Sequence, residues 1–570
     1  MRLQISRTKN AASFYVVKSV YTNGKRTNKI EEKLGTYEEL KAKLGERDPY
    51  EWAEEYVVEL NRLEKEGREP VVIAKYSPSR LIKKGEQRSF SGGYLFLQKI
   101  YHEMGINKIC SEISKKYKFE YNLDSILSRL LYGRILFPSS KLSTYELSSE
   151  LLELPDFELH HIYRALEVIA TETDFIQSSL YQNSLSLSRR NTNILYYDCT
   201  NYFFEIEQEE GLKQYGFAKD HKPNPIVQMG LFMDGDGIPL AFSITEGNKN
   251  EQLSLKPLEK KILSDFKLSK FVVCTDAGLA SNSNRKFNDK GGRAFITTQS
   301  IKKLKAHLKE WALNPEGWHL ADNSKTYNIG ELDEKNDKEK IFYKERWIKD
   351  GLEQKLIVTY SIKYRDYHIK IRNSQINRAL KALDNPSKIK KNRQNDYKRF
   401  IEKTTCTGDG EVAENEIYSL NTCLIESEAS YDGFYAVCTN LDEKASEIAK
   451  INRRRWEIEE CFRILKSEFK ARPVYLKRDD RITAHFTTCF IALIIYRILE
   501  KKLNEQFTCD TIIRSLRKMN FKELKGEGYE PTYTRTDFTD ALHESFGFRT
   551  DYEIVTFKQM KKIFKATKSR

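Results

Sequence analysis

No C-x-x-C pair occurs anywhere in the 570 residues; the nine cysteines stand singly between Cys110 and Cys509. That scatter excludes a cysteine-based zinc site and a disulfide framework, and it fits a reducing cytosol. The N-terminal run Met1-Arg2-Leu3-Gln4-Ile5-Ser6-Arg7 lacks the apolar core of a signal peptide. The most hydrophobic run, 486–499, is too short to span a bilayer and carries Arg497, so the expectation is a buried helix and no membrane partner. No internal repeat is visible, and no helix-turn-helix signature is distinct enough to claim. What the chain has in excess is positive charge, a formal +14. In a chain with 39% hydrophobic and 12% aromatic residues, this reads as a globular protein with a polyanionic partner, most often nucleic acid. Its length calls for three or four domains.

In chain order, 14–34 reads as a β-hairpin turning at Asn23-Gly24, with helices after it and a short strand at Val71-Val72-Ile73. This is a small α+β N-terminal domain, 1–80. Its cations (Arg7, Lys9, Lys18, Lys25, Arg26, Lys29) suit a grip on DNA or a solubilising cap equally. A polar stretch at 83–88 reads as a linker. From 90 to 190 the pattern is helical, with Leu97, Ile100, Tyr101 and Met104 on one stripe and Ile126, Leu127, Leu130 and Leu131 on another. This is a candidate DNA-end-binding domain.

At residue 193 the texture changes. Ile194-Leu195-Tyr196-Tyr197-Asp198 is a buried-strand run ending in a carboxylate. Strands at 225–233 and 238–245 flank the turn Asp234-Gly235-Asp236-Gly237. After a helix at about 250–265, Phe271-Val272-Val273-Cys274-Thr275-Asp276 is a fourth strand, also ending in Asp, and 294–298 is a fifth. Three antiparallel strands followed by alternating helices and strands make an α/β layered sheet. Residues 301–429 break that rhythm and read as a β-containing insertion. The sheet resumes at 433–439, so 191–300 and 430–505 form one α/β unit, and 506–570 is a basic C-terminal region.

The most informative stretch is Asn452-Arg453-Arg454-Arg455-Trp456-Glu457-Ile458-Glu459-Glu460-Cys461-Phe462-Arg463-Ile464-Leu465-Lys466. Ile458, Cys461, Phe462, Leu465 and Phe469 recur at helical steps and form an apolar face. Arg455, Glu459, Arg463 and Lys466 form a second face beside it, a carboxylate framed by cations. Asp198, Asp276 and Glu459 lie far apart in sequence; in a ribonuclease-H-type sheet, however, strands one and four are neighbours and a late helix packs across their ends, an arrangement that would bring the three together. Three acids so placed repel strongly unless cations intervene, and two Mg²⁺ (or Mn²⁺) ions meet that need with oxygen ligands. Such a pair activates a water or 3′-hydroxyl and stabilises the leaving oxygen of an in-line displacement at phosphorus. The flanking Arg455, Arg463 and Lys466 suit backbone phosphates rather than bases.

On these residues the chain resembles bacterial insertion-sequence DDE transposases, the branch with a Tyr-x2-Arg-x3-Glu-x6-Lys helix signature. Arg455, Glu459 and Lys466 occupy the Arg, Glu and Lys positions, and Asn452 stands at the Tyr position. Asp198-Cys199-Thr200 is similar to the first Asp motif and Thr275-Asp276-Ala277-Gly278 to the second, while Lys219-Asp220-His221-Lys222-Pro223 and Gly247-Asn248 also match the family wording. The resemblance spans roughly 190–500. It implies a ribonuclease-H-like mixed sheet flanked by helices and catalytic, metal-binding Asp198, Asp276 and Glu459. It also implies metal-dependent cleavage at terminal inverted repeats and strand transfer into target DNA by a homodimer. The setting implied is bacterial cytoplasm, at the nucleoid. Position 452 is where the family's Tyr contacts the DNA end. Two other readings share the scaffold: a repurposed, non-catalytic DNA-binding protein, and a nuclease without strand transfer.

Neighbouring candidates sort by context. Asp234 and Asp236 sit in a Gly-punctuated turn and read as structural. Glu457 and Glu460 point elsewhere round the helix; Glu205 and Glu246 are candidate auxiliary ligands. Lys219 and His221 lie in a basic loop that suits DNA contact or plain surface. Trp311, Trp318 and Trp347 read as core residues or as platforms for an unpaired base.

Overall fold

The computed structural model describes residues 1–8, 11–22, 25–66, 72, 76–384, 396–406 and 415–569. The chain forms two compact units, Met1–Lys83 and Lys84–Arg570. In the first, strands Arg2–Thr8, Ala11–Thr22 and Lys25–Thr36 form an antiparallel meander, followed by helices Tyr37–Leu44 and Pro49–Glu66. The expected hairpin is present, with one more strand before it. Thr36 and Glu39 cap the first helix reciprocally, and Phe14, Leu40 and Ala53 form the core. The Asn23-Gly24 turn and residues Val71 and Ile73 lie outside the described residues, and Val72 is in no strand.

The second unit begins with helices Tyr94–Glu103, Ile106–Lys116, Leu123–Leu136, Lys141–Ser148, Leu159–Thr171 and Thr173–Ser184, as the periodicity predicts. Its axis is the helix Asp479–Lys502, which packs against Leu159–Thr171, Leu123–Leu136 and Tyr94–Glu103 on one side and the sheet on the other. This helix is long and apolar enough by length and composition to cross a membrane, but nearly all of it is buried inside the protein. Its Arg497 is buried too, donating to Gly237 O at 2.8 Å and paired with Glu500.

The large sheet has ten strands: β1 (Ile194–Phe203), β2 (Ile226–Asp234), β3 (Pro239–Glu246), β4 (Val272–Thr275), β5 (Ala294–Thr298), β6 (Trp318–Leu320), β7 (Thr326–Tyr327), β8 (Phe342–Lys349), β9 (Glu353–Tyr360) and β10 (Phe434–Thr439). Their order is β7-β6-β8-β9-β10-β5-β4-β1-β2-β3. The pairs β1–β2 and β2–β3 are antiparallel, whereas β4 is parallel to both β1 and β5. Every residue of β2 is buried, which explains its unbroken apolar run. Along β1 the faces alternate. Leu195, Tyr197 and Cys199 pack with the helix Leu255–Asp265; Tyr196 and Tyr202 face Ile458, Cys461 and Phe486. Asp198 shares the second face.

Two stretches differ from their expected standing. Strands β6 to β9, all within 301–429, pair with one another in the order β7-β6-β8-β9, and β9 pairs with β10, so this insertion is built into the same sheet as the first five strands. The 506–570 region is folded against the helical block. It carries helices Cys509–Lys518, Asp537–Phe546 and Phe557–Lys568, and its strand Asn520–Leu524 pairs with Ser89–Ser91 from the expected linker region. Lysine spacing hides the amphipathic core positions Ile512, Leu542 and Met560, all buried.

The Asp234 turn is structural, as its glycines suggest. Its carboxylate is fully buried, accepts from the N–H groups of Asp236 (3.0 Å) and Ile238 (2.9 Å), and pairs with Arg190. Arg190 also donates to Ser184 Oγ at 2.7 Å and Pro239 O at 3.0 Å. Removing the cation leaves a buried charge unmatched. Arg190→Met is therefore expected to lower unfolding stability by about 3 kcal/mol, read as a shift in the denaturant midpoint at constant slope.

Candidate active site

The sheet register brings the two aspartates together. Parallel pairing sets Tyr196 opposite Cys274, so Asp198 and Asp276, each two residues further on, come side by side on the same face. Asp198 lies within β1 and accepts from the Cys199 N–H at 2.7 Å. Asp276 follows the end of β4 and accepts from Leu279 N–H at 3.0 Å in the turn that follows. Burial, then the charge of Asp276, pushes the Asp198 carboxyl up to about 6; Lys219, the Cys199 N–H and Arg455 pull the other way.

Across this pair lie two short helices, Ala445–Arg453 and Trp456–Arg463, followed by π-helical turns at Ile464–Glu468. Tyr196 Oη donates to Ile451 O at 2.9 Å and fixes the first helix on β1. Ile458, Cys461, Leu465 and Phe469 are fully buried, so the predicted apolar face does pack on the sheet. Arg455, at the start of the second helix, is the hub. Burial opposes its charge, and Asp198, then Tyr435, Glu459 and Asp276, outweigh that and hold its pKa above the usual guanidinium value. Its Nη1 lies 3.4 Å from Glu459 Oε1. Glu459 is otherwise open to solvent, 59% exposed at its side chain.

Lys466, carried by the π-helical turns, lies 5.6 Å above the Tyr202 ring. Burial, and then the like charge of Lys219, pushes its ammonium down to about 8 against the pull of Asp198 and Glu251. Lys219 Nζ donates to Cys199 O at 2.5 Å and pairs with Glu251 at 3.2 Å. His221 is exposed in the same loop.

Two of the proposed DNA-facing residues are engaged by neighbouring side chains. Asn452 is buried at the wall of the cavity that Arg455 and Glu459 also line: its Nδ2 donates to Tyr435 Oη at 2.9 Å, and its Oδ1 accepts from the Cys274 thiol at 3.5 Å. It therefore ties the helix to β4 and β10. Arg463 pairs with Glu460 (2.5 Å) and Glu468 (3.6 Å), away from the aspartates. Glu246 is paired with Lys249. Trp318 is fully buried, with its Nε1 donating to Asn314 O, and Trp311 and Trp347 sit under Lys344 and Lys355. The sequence reading passed over Glu251, Tyr435 and the exposed Trp456. Only Trp456, an indole amid charges beside Glu459, carries a local signal. Tyr435, Arg455, Trp456 and Glu459 line a cavity of about 640 Å³.

The donor set suits a hard divalent cation. Asp198 and Asp276 offer oxygen only, neither makes a direct ion pair among the described residues, and their mutual repulsion raises one pKa. The three acids do not lie within 4.8 Å of one another. Among the described residues that closeness belongs to Asp540, His543 and Asp551, but Arg549 and Arg535 already pair with those carboxylates.

The family model described as "Transposase DDE domain" matches residues 203–495, just over half of the chain, including Asp276, Glu459 and Lys466. The chain belongs to this family. Its members cut and rejoin phosphodiester bonds and generally use divalent metal ions. None of the curated proteins matches the chain. Among solved structures, it is similar to a piggyBac transposase in a cryo-EM synaptic complex with hairpin DNA. That match has 9% identity and a TM-score of 0.37 over 85% of this chain and 88% of the other. A likeness that distant supports no further statement.

Proposed function

We propose that the protein is the transposase of a bacterial insertion sequence, cutting DNA at the element's terminal inverted repeats and joining the freed 3′-ends to target DNA. The observation that carries this reading is the side-by-side placement of Asp198 and Asp276, with Arg455 and Glu459 presented to them from a helix. The strand order β3-β2-β1-β4-β5 with this pattern of directions supports a ribonuclease-H-like core. Asp198, Asp276 and Glu459 would hold two Mg²⁺ or Mn²⁺ ions. The chemistry such ions supply is a lowered pKa for the attacking water or 3′-hydroxyl and charge stabilisation at the leaving oxygen.

The chain's own residues do the rest. In the metal-free protein Arg455 offsets the repulsion among the three acids. Lys466 and Lys219 place two ammonium groups beside Asp198, where a phosphate backbone would approach. Pairing of two ends by a homodimer and action at the nucleoid belong to the same reading. The experiment is metal-dependent cleavage of an end-labelled duplex taken from the element's own boundary. Cleavage with Mg²⁺ or Mn²⁺, none in EDTA, and a strand-transfer product are the expected result. Cleavage without transfer would leave a nuclease, and binding without cleavage would leave a repurposed DNA-binding protein.

A further inference from the structure

The helix Ile362–Leu383, at 22 residues about 33 Å long, starts at the cavity that Arg455 and Glu459 line and runs away from it. Near its start, Lys363 and Tyr367 line the same cavity as Tyr435, Arg455 and Glu459. Continuing at helical steps, Lys370, Asn373, Asn377, Arg378 and Lys381 extend that stripe along a shallow surface groove, and all five are exposed. The opposite side of the helix is packed. Ile376 and Ala379 meet Phe400 and Ile401, and Arg372 pairs with Asp432 at 2.5 Å. Arg365, near the helix start, is paired with Glu334 at 2.8 Å.

The division of charge is what points to a ligand. Arg372 on the packed side and Lys363 and Arg365 near the helix start have carboxylate partners; Lys370, Arg378 and Lys381 further along have none among the described residues. Between these cations the groove is lined by Asn373, Ser374 and Asn377, with Ile369 and Asp366 only at its head. That composition fits phosphate and sugar oxygens better than another protein's apolar face.

We propose that this outer face is a track for the backbone of duplex DNA leaving the cavity beside Glu459. Resting on the DNA reading above, it assigns the 301–429 segment a DNA-holding role. From Lys370 to Lys381 the stripe covers about 16 Å, roughly five base pairs of duplex.

The test uses the full-length chain and a 30-base-pair fluorescent duplex, with affinity followed against salt. The triple variant K370Q/R378Q/K381Q is expected to bind about tenfold or more weakly at moderate salt. Its salt slope should be shallower by about 3, near one unit for each phosphate contact removed. A charge-matched control, K267Q/K270Q/K290Q, alters exposed lysines ahead of β4 and β5, at the ends of these strands away from Asp276, and should keep the wild-type slope. Circular dichroism confirms that both fold. Equal losses in the two triples, or a wild-type slope in the first, overturn the track while leaving the DNA reading intact. Failure of the wild-type chain to bind duplex at all overturns that reading and the track with it.

Discussion

Glu459→Gln is expected to reduce metal-dependent cleavage by about 10³-fold or more while leaving duplex affinity within about twofold. The structure separates these effects cleanly. Glu459 is mostly solvent-exposed, and its one ion pair is with Arg455 at 3.4 Å, four residues back on the same helical turn. Such pairs contribute only about 0.3–0.5 kcal/mol to stability, so the neutral amide should fold as the wild type does. What it loses is an anionic oxygen where the two aspartates need a third. The control is the adjacent carboxylate. Glu460 accepts from Arg463 and faces away from Asp198; Glu460→Gln should cleave at close to the wild-type rate. Equal activity in all three proteins would remove Glu459 from the chemistry and leave the aspartate pair without its partner.

Much of this site could be read from local pattern. Buried apolar runs leading to Asp198 and Asp276 marked two strands, although the first runs on past Asp198 to Phe203 and only Asp276 stands at a strand end; the spacing of Ile458, Cys461, Leu465 and Phe469 marked the packed face. The reading failed where geometry departs from one continuous helix. Treating 452–466 as a single helix put Arg455, Glu459, Arg463 and Lys466 on one stripe. In the fold the helix breaks before Trp456 and loosens into π-helical turns after Arg463. Arg455 thereby reaches back toward Asp198, Arg463 turns to Glu460 and Glu468, and Lys466 swings over Tyr202. Asn452 faces inward because a phenol from β10, 17 residues upstream, stands ready to receive its amide hydrogen. The pairing of β9 with β10 was equally invisible, since it joins Lys355 to Thr439 across a long excursion that no local spacing encodes.

Asp198→Asn should make the metal-free protein more stable at pH 7.5, though it abolishes cleavage. The Asp198 carboxyl is pushed up to about 6, by burial first and by Asp276 second. An unfolded aspartate titrates near 3.9. The folded chain therefore holds this proton more tightly than the unfolded chain, and the sign follows. Below about pH 4 both states are protonated and there is no penalty. As pH rises from about 4 to about 6 the folded state alone resists ionisation, and above that window the full cost of about 3 kcal/mol is carried. An amide at this position cannot ionise, so the variant should gain up to that amount at pH 7.5 in EDTA and nothing at pH 4, read as denaturant midpoints. Mg²⁺ or Mn²⁺ should stabilise the wild type by relieving the same repulsion, and should do much less for the variant. A variant less stable than wild type at pH 7.5 in EDTA would mean the carboxylate is already satisfied by its neighbours. The strain that calls for a cation would then be absent. On the proposed reading, the cost at Asp198 is what links the metal-free fold to the reaction: a buried acid beside a second acid, whose charge a divalent ion would offset.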